Sequence, residues 1–201
     1  MVIAGAGGHG QEVFQLLVNQ GFEPEGLIFF DEDVTKKGRR IGGTEIITDW
    51  DTLNKEIEKD PRFCLGVGNP ESRQNLTQKI ENLGGRLFGL KGSFLDSFYN
   101  VPVEFDQMSF TFIGPSTKIG KGVLINTRAN VHHGVEIGDF SEIGPGALLL
   151  GEVKIGNMCR IGAGAIVLPG VILGNRVIVG AGAVVTKNRI TQGTIKGIPA
   201  K

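Results

Sequence analysis

An aliphatic residue recurs at every sixth position through the second half of this chain. From Ile113 to Val185 all thirteen positions of this register are Ile, Leu or Val, and Gly directly follows eight of them. The residue two places before each aliphatic position is small or β-branched. This period differs from the 3.6-residue repeat of an amphipathic helix and from the two-residue alternation of a half-buried strand. It predicts a three-sided parallel β-helix, in which three hexapeptides complete one coil and the aliphatic side chains stack inward.

The glycines of the repeat predict the corners of this prism, where the backbone changes direction. The register from Ile113 to Val185 gives about four coils, and Leu95 and Val101 extend it by one ragged coil. The expected Gly is replaced at Asn126, His132, Leu150, Leu168 and Thr186. We expect any unusual chemistry of the repeat at those departures. An antiparallel sandwich would show alternating polarity and hairpin turns, and the repeat has neither.

Aromatic residues mark a boundary before the repeat, since 13 of the 14 Phe, Trp and Tyr residues precede position 113. We therefore predict two domains, residues 1–92 and residues 93–201. Lys and Arg together number 21, as do Asp and Glu. This balance leaves no positive field for a nucleic-acid backbone, so we expect no nucleic-acid partner.

Other features of the composition predict a cytoplasmic protein with no membrane partner. No apolar run reaches the length of a membrane span, and the first ten residues do not resemble a signal peptide. Cys64 and Cys159 lie far apart and match no metal-ligand spacing, so we expect buried thiols and no metal site.

The first ninety residues alternate between strand and helix patterns. We predict strands at 1–4, 27–30 and 64–67, a helix from Gln11 to Asn19, and a helix at 49–59 capped by Thr48. A later helix places Leu76, Ile80 and Leu83 on one face. Alternation of this kind predicts a small Rossmann-like α/β domain with a parallel sheet.

The loop after the first predicted strand has the spacing of a phosphate-binding turn. Gly5, Gly7 and Gly10 satisfy G-x-G-x-x-G, and Asp31 ends the next strand about twenty residues on. Amides at a helix N-terminus favour a phosphate, and an acidic residue there can accept hydrogen bonds from a ribose or base. The pattern suits a nucleotide sugar or NAD, and it also suits a tight turn without a ligand.

Five segments together resemble one known family. They are the loop Gly5–Gly10, Asp31-Glu32, Gly68-Asn69 with Arg73, Val131-His132-His133, and the terminal Gly197–Lys201. This combination, which spans nearly the whole chain, resembles the sialic-acid O-acetyltransferases and nucleotide-amino-sugar N-acetyltransferases, which are left-handed β-helix hexapeptide acyltransferases. The resemblance implies an acetyl-CoA-dependent homotrimer with active sites between neighbouring β-helices. It also implies that the N-terminal domain holds a nucleotide sugar.

The resemblance assigns residues to each part of the site. The nucleotide-sugar side comprises Gly7, Gly8, His9, Asp31, Glu32 and Gly68, and the CoA channel is bordered by Gly151, Ala163 and Ala181. His133, five residues before the Gly of Ile137-Gly138, takes the place of the general base. An imidazole suits this role because it titrates near neutral pH. We expect its side chain to project from the prism wall, and an amide near Gly151 to stabilise the oxyanion.

The chain departs from the family at two positions beside this histidine. The family usually follows its His with an Asp or Glu, where this chain has Gly134. Glu142 is a possible substitute, and it occupies a position where the family often has a second His beside acetyl-CoA. Glu136, Asp139 and Glu152 are further candidates.

The leading hypothesis is transfer of acetyl from acetyl-CoA to an amino or hydroxyl group of a nucleotide-linked sugar, such as a UDP- or dTDP-4-amino-sugar, in surface-glycan biosynthesis. A longer acyl donor is a variant of it. The alternatives are a catalytically weak trimeric scaffold that binds nucleotide sugars, suggested by Gly134 and Glu142, and an NAD-dependent oxidoreductase, which rests on the glycine loop alone.

Overall fold

The computed structural model describes residues 1–94, 96–97 and 104–201. Contacts divide the chain into two compact units. One comprises Met1–Gly68 and Ser72–Phe88, and the other Asn69–Glu71 and Gly89–Lys201. The domain boundary at residue 92 stays a prediction, and Leu95 and Val101, which predicted an additional coil, lie outside the described residues.

The first unit is a six-stranded sheet with helices between its strands. Its elements are β1 (Val2–Ala4), α1 (Gly8–Asn19), β2 (Ile28–Phe30), β3 (Arg40–Ile41), β4 (Thr44–Ile47), α2 (Trp50–Lys59), β5 (Arg62–Leu65), α3 (Pro70–Asn82) and β6 (Arg86–Leu87). The first two residues of α3 are grouped with the other unit. The strand order is β3-β4-β2-β1-β5-β6, and every pair except β3–β4 is parallel. This arrangement confirms the Rossmann-like part of the predicted fold.

Local chemistry moves two predicted element boundaries and adds one hairpin. Helix α1 begins at Gly8 instead of Gln11, so the end of the glycine loop forms the first helical turn. Helix α2 is capped by Asp49 rather than Thr48, because the Asp49 carboxylate accepts a hydrogen bond from the Thr52 amide at 2.8 Å. The β3–β4 hairpin was not predicted. Its signal is Gly42-Gly43, whose φ angles of 56° and 84° suit a two-residue hairpin turn.

The second unit winds into a three-walled parallel β-helix, as the six-residue period predicts. The first wall contains β10 (Lys118–Ile119), β13 (Glu136–Ile137), β16 (Lys154–Ile155) and β19 (Ile172–Leu173). The second wall contains β8 (Asp106–Gln107), β11 (Leu124–Ile125), β14 (Glu142–Ile143), β17 (Arg160–Ile161), β20 (Val177–Val179) and β22 (Gly193–Ile195). The third wall contains β7 (Asp96–Ser97), β9 (Phe112–Ile113), β12 (Asn130–Val131), β15 (Leu148–Leu149), β18 (Ile166–Val167) and β21 (Val184–Val185).

Strand pairing fixes the length of one coil. Lys118 pairs with Glu136, Leu124 with Glu142, and Asn130 with Leu148, so coils stack at an offset of eighteen residues. The aliphatic positions form the core of this unit, and all of them are buried except Ile119, which is partly buried against the others. Burial of this ladder removes apolar surface from water along the full height of the prism.

The glycines that follow the aliphatic residues do not form the corners, which corrects the sequence-based interpretation. None of the eight has a positive φ. Instead, a Cβ on seven of them would approach the backbone of the neighbouring coil within 3 Å; at Gly156 it would lie 2.6 Å from the Asn175 nitrogen. The left-handed corner residue comes two positions later and repeats every six residues. Seven of these thirteen corners carry a side chain: Phe110, Ser116, Arg128, Phe140, Glu152, Met158 and Arg176.

No helix among the described residues is long and apolar enough to cross a bilayer.

Candidate active site

A cleft of about 180 Å³ opens at the carboxyl ends of β1, β2 and β5, where parallel α/β sheets bind their ligands. Its lining includes Gly5, Asp31 and Glu32, and from α3 the polar residues Ser72 and Asn75. The structure therefore brings the two predicted acidic residues to one cleft. Sequence reasoning missed the α3 residues, whose signal is a polar pair at an i, i+3 spacing just after Gly68-Asn69-Pro70.

The glycines of the loop divide into two roles. A Cβ on Gly5 would lie 2.5 Å from Val67 Cγ1, and one on Gly10 would collide with the Gly5 carbonyl oxygen, so both are required by packing. Gly7 and Gly8, in contrast, have nothing within 4 Å of an added Cβ. They open the N-terminus of α1, whose first amides have no acceptor within the helix. This open end is suited to an anionic group.

The Asp31 carboxylate shapes this loop. Its Oδ2 accepts hydrogen bonds from the Ala6 amide at 2.8 Å and Lys36 Nζ at 2.7 Å, and its Oδ1 accepts one from the Asp33 amide at 2.9 Å. Burial raises the pKa of the carboxyl, but the hydrogen bonds from Lys36, Ala6 and Asp33 outweigh it and leave the pKa below its ordinary value. Asp31 is therefore ionised at neutral pH and ties the glycine loop to β2.

Two further residues predicted for the nucleotide sugar, Glu32 and His9, differ in their surroundings. Glu32 accepts a hydrogen bond from Lys79 Nζ at 2.7 Å at the exposed rim. His9 Nδ1 lies 3.1 Å from Glu12 Oε2, while its buried Nε2 has no hydrogen-bond partner among the described residues. Water or a bound ligand can supply the polar partner that a buried nitrogen of this kind requires.

Gly68 lies in the β5–α3 loop and is not among the residues that line the cleft. The fully buried Arg73 holds this loop, because its Nη1 donates a hydrogen bond to the Val67 carbonyl at 2.8 Å. Arg73 is thus buried and does not line the cleft.

In the β-helix, His133 is exposed at the corner that follows β12. Its imidazole lies against Gly151, the equivalent residue one coil on. A Cβ on Gly151 would lie 2.6 Å from the ring Cε1 and 2.7 Å from Nε2. Within the described part of the chain, the Gly151 N–H donates no hydrogen bond. An unpaired amide and an imidazole therefore stand side by side, as a general base and an oxyanion donor would.

His132, the neighbouring histidine, is half-buried. Its ring packs edge-on against Phe112 with a centroid distance of 5.7 Å. This contact gives His132 a packing role on the third wall.

The other residues predicted for the site lie on the second wall or its edge. Glu142 on β14 is buried, and its carboxylate accepts a hydrogen bond from Arg160 Nε at 2.7 Å. Ala163 and Ala181 are exposed one coil apart, and neither N–H has an acceptor among the described residues. Within one chain these residues and His133 belong to different walls, so a role of Glu142 as the acidic partner of His133 stays a prediction.

Both units match known protein families. Residues 1–80 match the PglD N-terminal domain, and residues 116–151 and 152–187 match the bacterial transferase hexapeptide (six repeats). A curated relative, the uncharacterized protein L142 of Acanthamoeba polyphaga mimivirus, is 30% identical over 136 residues, which are 68% of this chain and 23% of that protein. The chain thus spans about a quarter of the length of this relative.

Solved structures match over the full length of the chain. A mutant of GDP-perosamine N-acetyltransferase from Caulobacter crescentus, in complex with CoA and GDP-perosamine, superposes with a TM-score of 0.91 at 29% identity, covering 100% of this chain and 94% of that one. The acetyltransferase domain of PglB from Neisseria gonorrhoeae FA1090 gives a TM-score of 0.87 at 30% identity, covering 100% and 97%. A second structure of that domain contains acetyl coenzyme A, with the same TM-score and coverage at 29% identity.

Proposed function

The chain belongs to the hexapeptide-repeat nucleotide-amino-sugar N-acetyltransferases, and on that basis we propose that it transfers the acetyl group of acetyl-CoA to the amino group of a nucleotide-linked sugar. The observation that carries the proposal is the exposed His133 imidazole beside the Gly151 amide, which has no acceptor in the described part of the chain. The Caulobacter relative, solved with CoA and GDP-perosamine, and the Neisseria domain, solved with acetyl coenzyme A, support the same chemistry.

In the proposed reaction His133 acts as the general base. The sugar amine attacks the thioester carbonyl carbon, and the imidazole takes the proton that the nitrogen must lose. The Gly151 N–H donates to the oxygen that becomes negative in the tetrahedral intermediate. The carbon–sulfur bond then breaks, and the imidazolium returns its proton to the CoA thiolate. A hydroxyl acceptor would need the same proton transfer, but the N-acetyltransferase activity of the Caulobacter relative favours an amine.

We assign the nucleotide part of the acceptor to the N-terminal cleft. The open start of α1 at Gly7 and Gly8 suits a diphosphate, and Glu32, Ser72 and Asn75 offer polar groups to a ribose or base. Besides UDP- and dTDP-sugars, a GDP-linked amino sugar is a candidate, because the Caulobacter enzyme was solved with GDP-perosamine.

We infer that the active enzyme is a homotrimer, with each site shared by neighbouring copies. Two groups of predicted residues, His133 with Gly151 and Ala163 with Ala181, lie on different edges of one prism. A neighbouring copy would supply the second edge, so that CoA lies between two β-helices. We assign the reaction to the cytoplasm, in surface-glycan biosynthesis, because acetyl-CoA and nucleotide sugars are available there.

The proposal is tested by release of the CoA thiol in the presence of UDP-, dTDP- or GDP-linked 4-amino sugars and their 4-hydroxy counterparts. One amino sugar is expected to support turnover, and His133→Ala is expected to lower kcat by about 100-fold to 10,000-fold. His132→Ala is the matched control and should retain turnover.

Binding of the same nucleotide sugars, measured by calorimetry, should survive in His133→Ala. Undiminished turnover in His133→Ala would contradict the assigned base. Binding without turnover in the wild type would support a scaffold, and binding of NAD alone would support an oxidoreductase. Propionyl-CoA in the same assay tests for a longer acyl donor.

A further inference from the structure

Of the four carboxylates considered as partners for His133, three are already engaged. Glu142 binds Arg160, and the Asp139 Oδ1 accepts a hydrogen bond from the Lys121 amide at 2.9 Å. Glu136 lies 3.5 Å from both Lys118 and Lys154 on the first wall. In the portion of the chain that the structure describes, the Glu152 carboxylate accepts no hydrogen bond and forms no ion pair.

Glu152 also occupies the corner directly next to His133. Gly134 and Glu152 are equivalent residues one coil apart, with left-handed φ angles of 67° and 61°. The Glu152 amide donates a hydrogen bond to the His133 carbonyl at 3.0 Å. This bond fixes the position of the Glu152 backbone relative to the histidine.

The Glu152 and His133 side chains each extend toward the coil of the other residue. Glu152 Cγ lies 3.4 Å from the place where a Cβ on Gly134 would be, so this side chain extends toward the coil that carries His133. The His133 ring extends the opposite way, onto Gly151. Because Gly134 has no side chain, no side-chain atom of Gly134 lies between the Glu152 side chain and the backbone of the coil that carries His133. Glu152 and His133 therefore lie at the same corner of the third wall, on neighbouring coils.

We propose that Glu152 is a positioning residue, whose carboxylate orients the His133 imidazole and stabilises the imidazolium that forms during transfer. This inference rests on the proposed function. A basic histidine needs its second ring nitrogen held by an acceptor, and removal of such a partner typically costs about 10-fold to 100-fold in activity. We assign that acceptor to the Glu152 carboxylate on the next coil, which has no other partner among the described residues.

The test is steady-state kinetics of the full-length protein with acetyl-CoA and the amino sugar that it acetylates. Glu152→Gln is expected to lower kcat by about 10-fold to 100-fold, with the KM of both substrates within about two-fold of the wild type. Glu152→Asp keeps the charge and should recover part of kcat. Glu136→Gln, which removes a carboxylate from the first wall, is the matched control and should leave kcat unchanged.

Two results would overturn the inference: a wild-type kcat in Glu152→Gln, or an increase in KM alone, which would indicate a contact with bound substrate instead. Thermal unfolding of each variant separates these results from misfolding. Failure of the proposed function is distinguishable, because it appears as absent turnover in the wild type. Turnover in the wild type with no effect of Glu152→Gln defeats this inference alone.

Discussion

Substitution of Gly151 by Ala tests whether catalysis depends on the packing of the His133 imidazole against Gly151. An added Cβ would lie 2.6 Å from the ring Cε1, so the ring must retreat by about 0.8 Å to regain an ordinary contact of 3.4 Å. A misplacement of about 1 Å in a catalytic group can cost about 100-fold in rate. Stability should change little, because Gly151 has no left-handed φ and the ring is the movable end of an exposed side chain. We therefore expect Gly151→Ala to lower kcat by up to about 100-fold, with the free energy of unfolding within about 1 kcal/mol of the wild type.

The assay is thiol release for kcat and urea unfolding for stability. Gly26→Ala serves as the control, since nothing lies within 4 Å of its added Cβ and its φ is ordinary. A double-mutant cycle identifies the cause, because Gly151→Ala should have no further effect in a His133→Ala background. A wild-type rate in Gly151→Ala, or an equal loss in both backgrounds, would refute the reasoning.

Two further predictions concern stability. Gly138→Ala places a Cβ 2.6 Å from the Asn157 nitrogen and should lower the free energy of unfolding by about 1 to 3 kcal/mol. Gly146→Ala has open space around its Cβ but a φ of 65°, and should lower it by about 1 kcal/mol. Urea unfolding that ranks Gly146→Ala as the more costly would contradict the distinction between packing glycines and corner glycines. The Asp31 carboxyl has a depressed pKa in the folded state, so its contribution to stability is complete above its ordinary pKa of 3.8 and is lost as the pH falls through the folded value. Asp31→Asn should therefore destabilise the protein by about 1 kcal/mol at pH 7, and a difference that does not narrow in acid unfolding experiments would be inconsistent with this ionised role.

The walls of the β-helix could be predicted from sequence because burial acts directly on residue type. Each inward position, such as Ile143 or Val167, must be apolar, and the requirement repeats with every wall. The corners could not be located in this way. Phe140, Glu152 and Arg176 adopt a left-handed φ without any glycine to mark it. The repeated glycines are required for a different reason, since the backbone of the next coil passes too close for a Cβ. Because glycine also suits corners, the sequence pattern did not distinguish the two reasons.

In the N-terminal unit, too, the local pattern of residues could be predicted, whereas contacts between distant segments could not. The glycine spacing and Asp31 indicated the correct loop, but not that the Asp31 carboxylate accepts hydrogen bonds from Ala6 and Lys36. Ser72 and Asn75 reach the cleft only because α3 follows β5 at the carboxyl edge of the sheet. Such contacts depend on sheet order, which the sequence pattern does not specify.

The candidate site in the β-helix could be predicted in part, because residues eighteen apart in the sequence lie next to each other on neighbouring coils. Once that offset is known, His133 must neighbour Gly151, Gly134 must neighbour Glu152, and Glu142 must neighbour Arg160. Pairs at this offset can be read from the sequence alone. Lys118 and Lys154 lie at the same offset on either side of Glu136, so the cations beside that carboxylate can be read as well. What cannot be read is the direction that each side chain takes at a corner. For Glu152 the structure adds the left-handed corner and the position of Cγ, whereas its proximity to His133 follows from the period of the repeat.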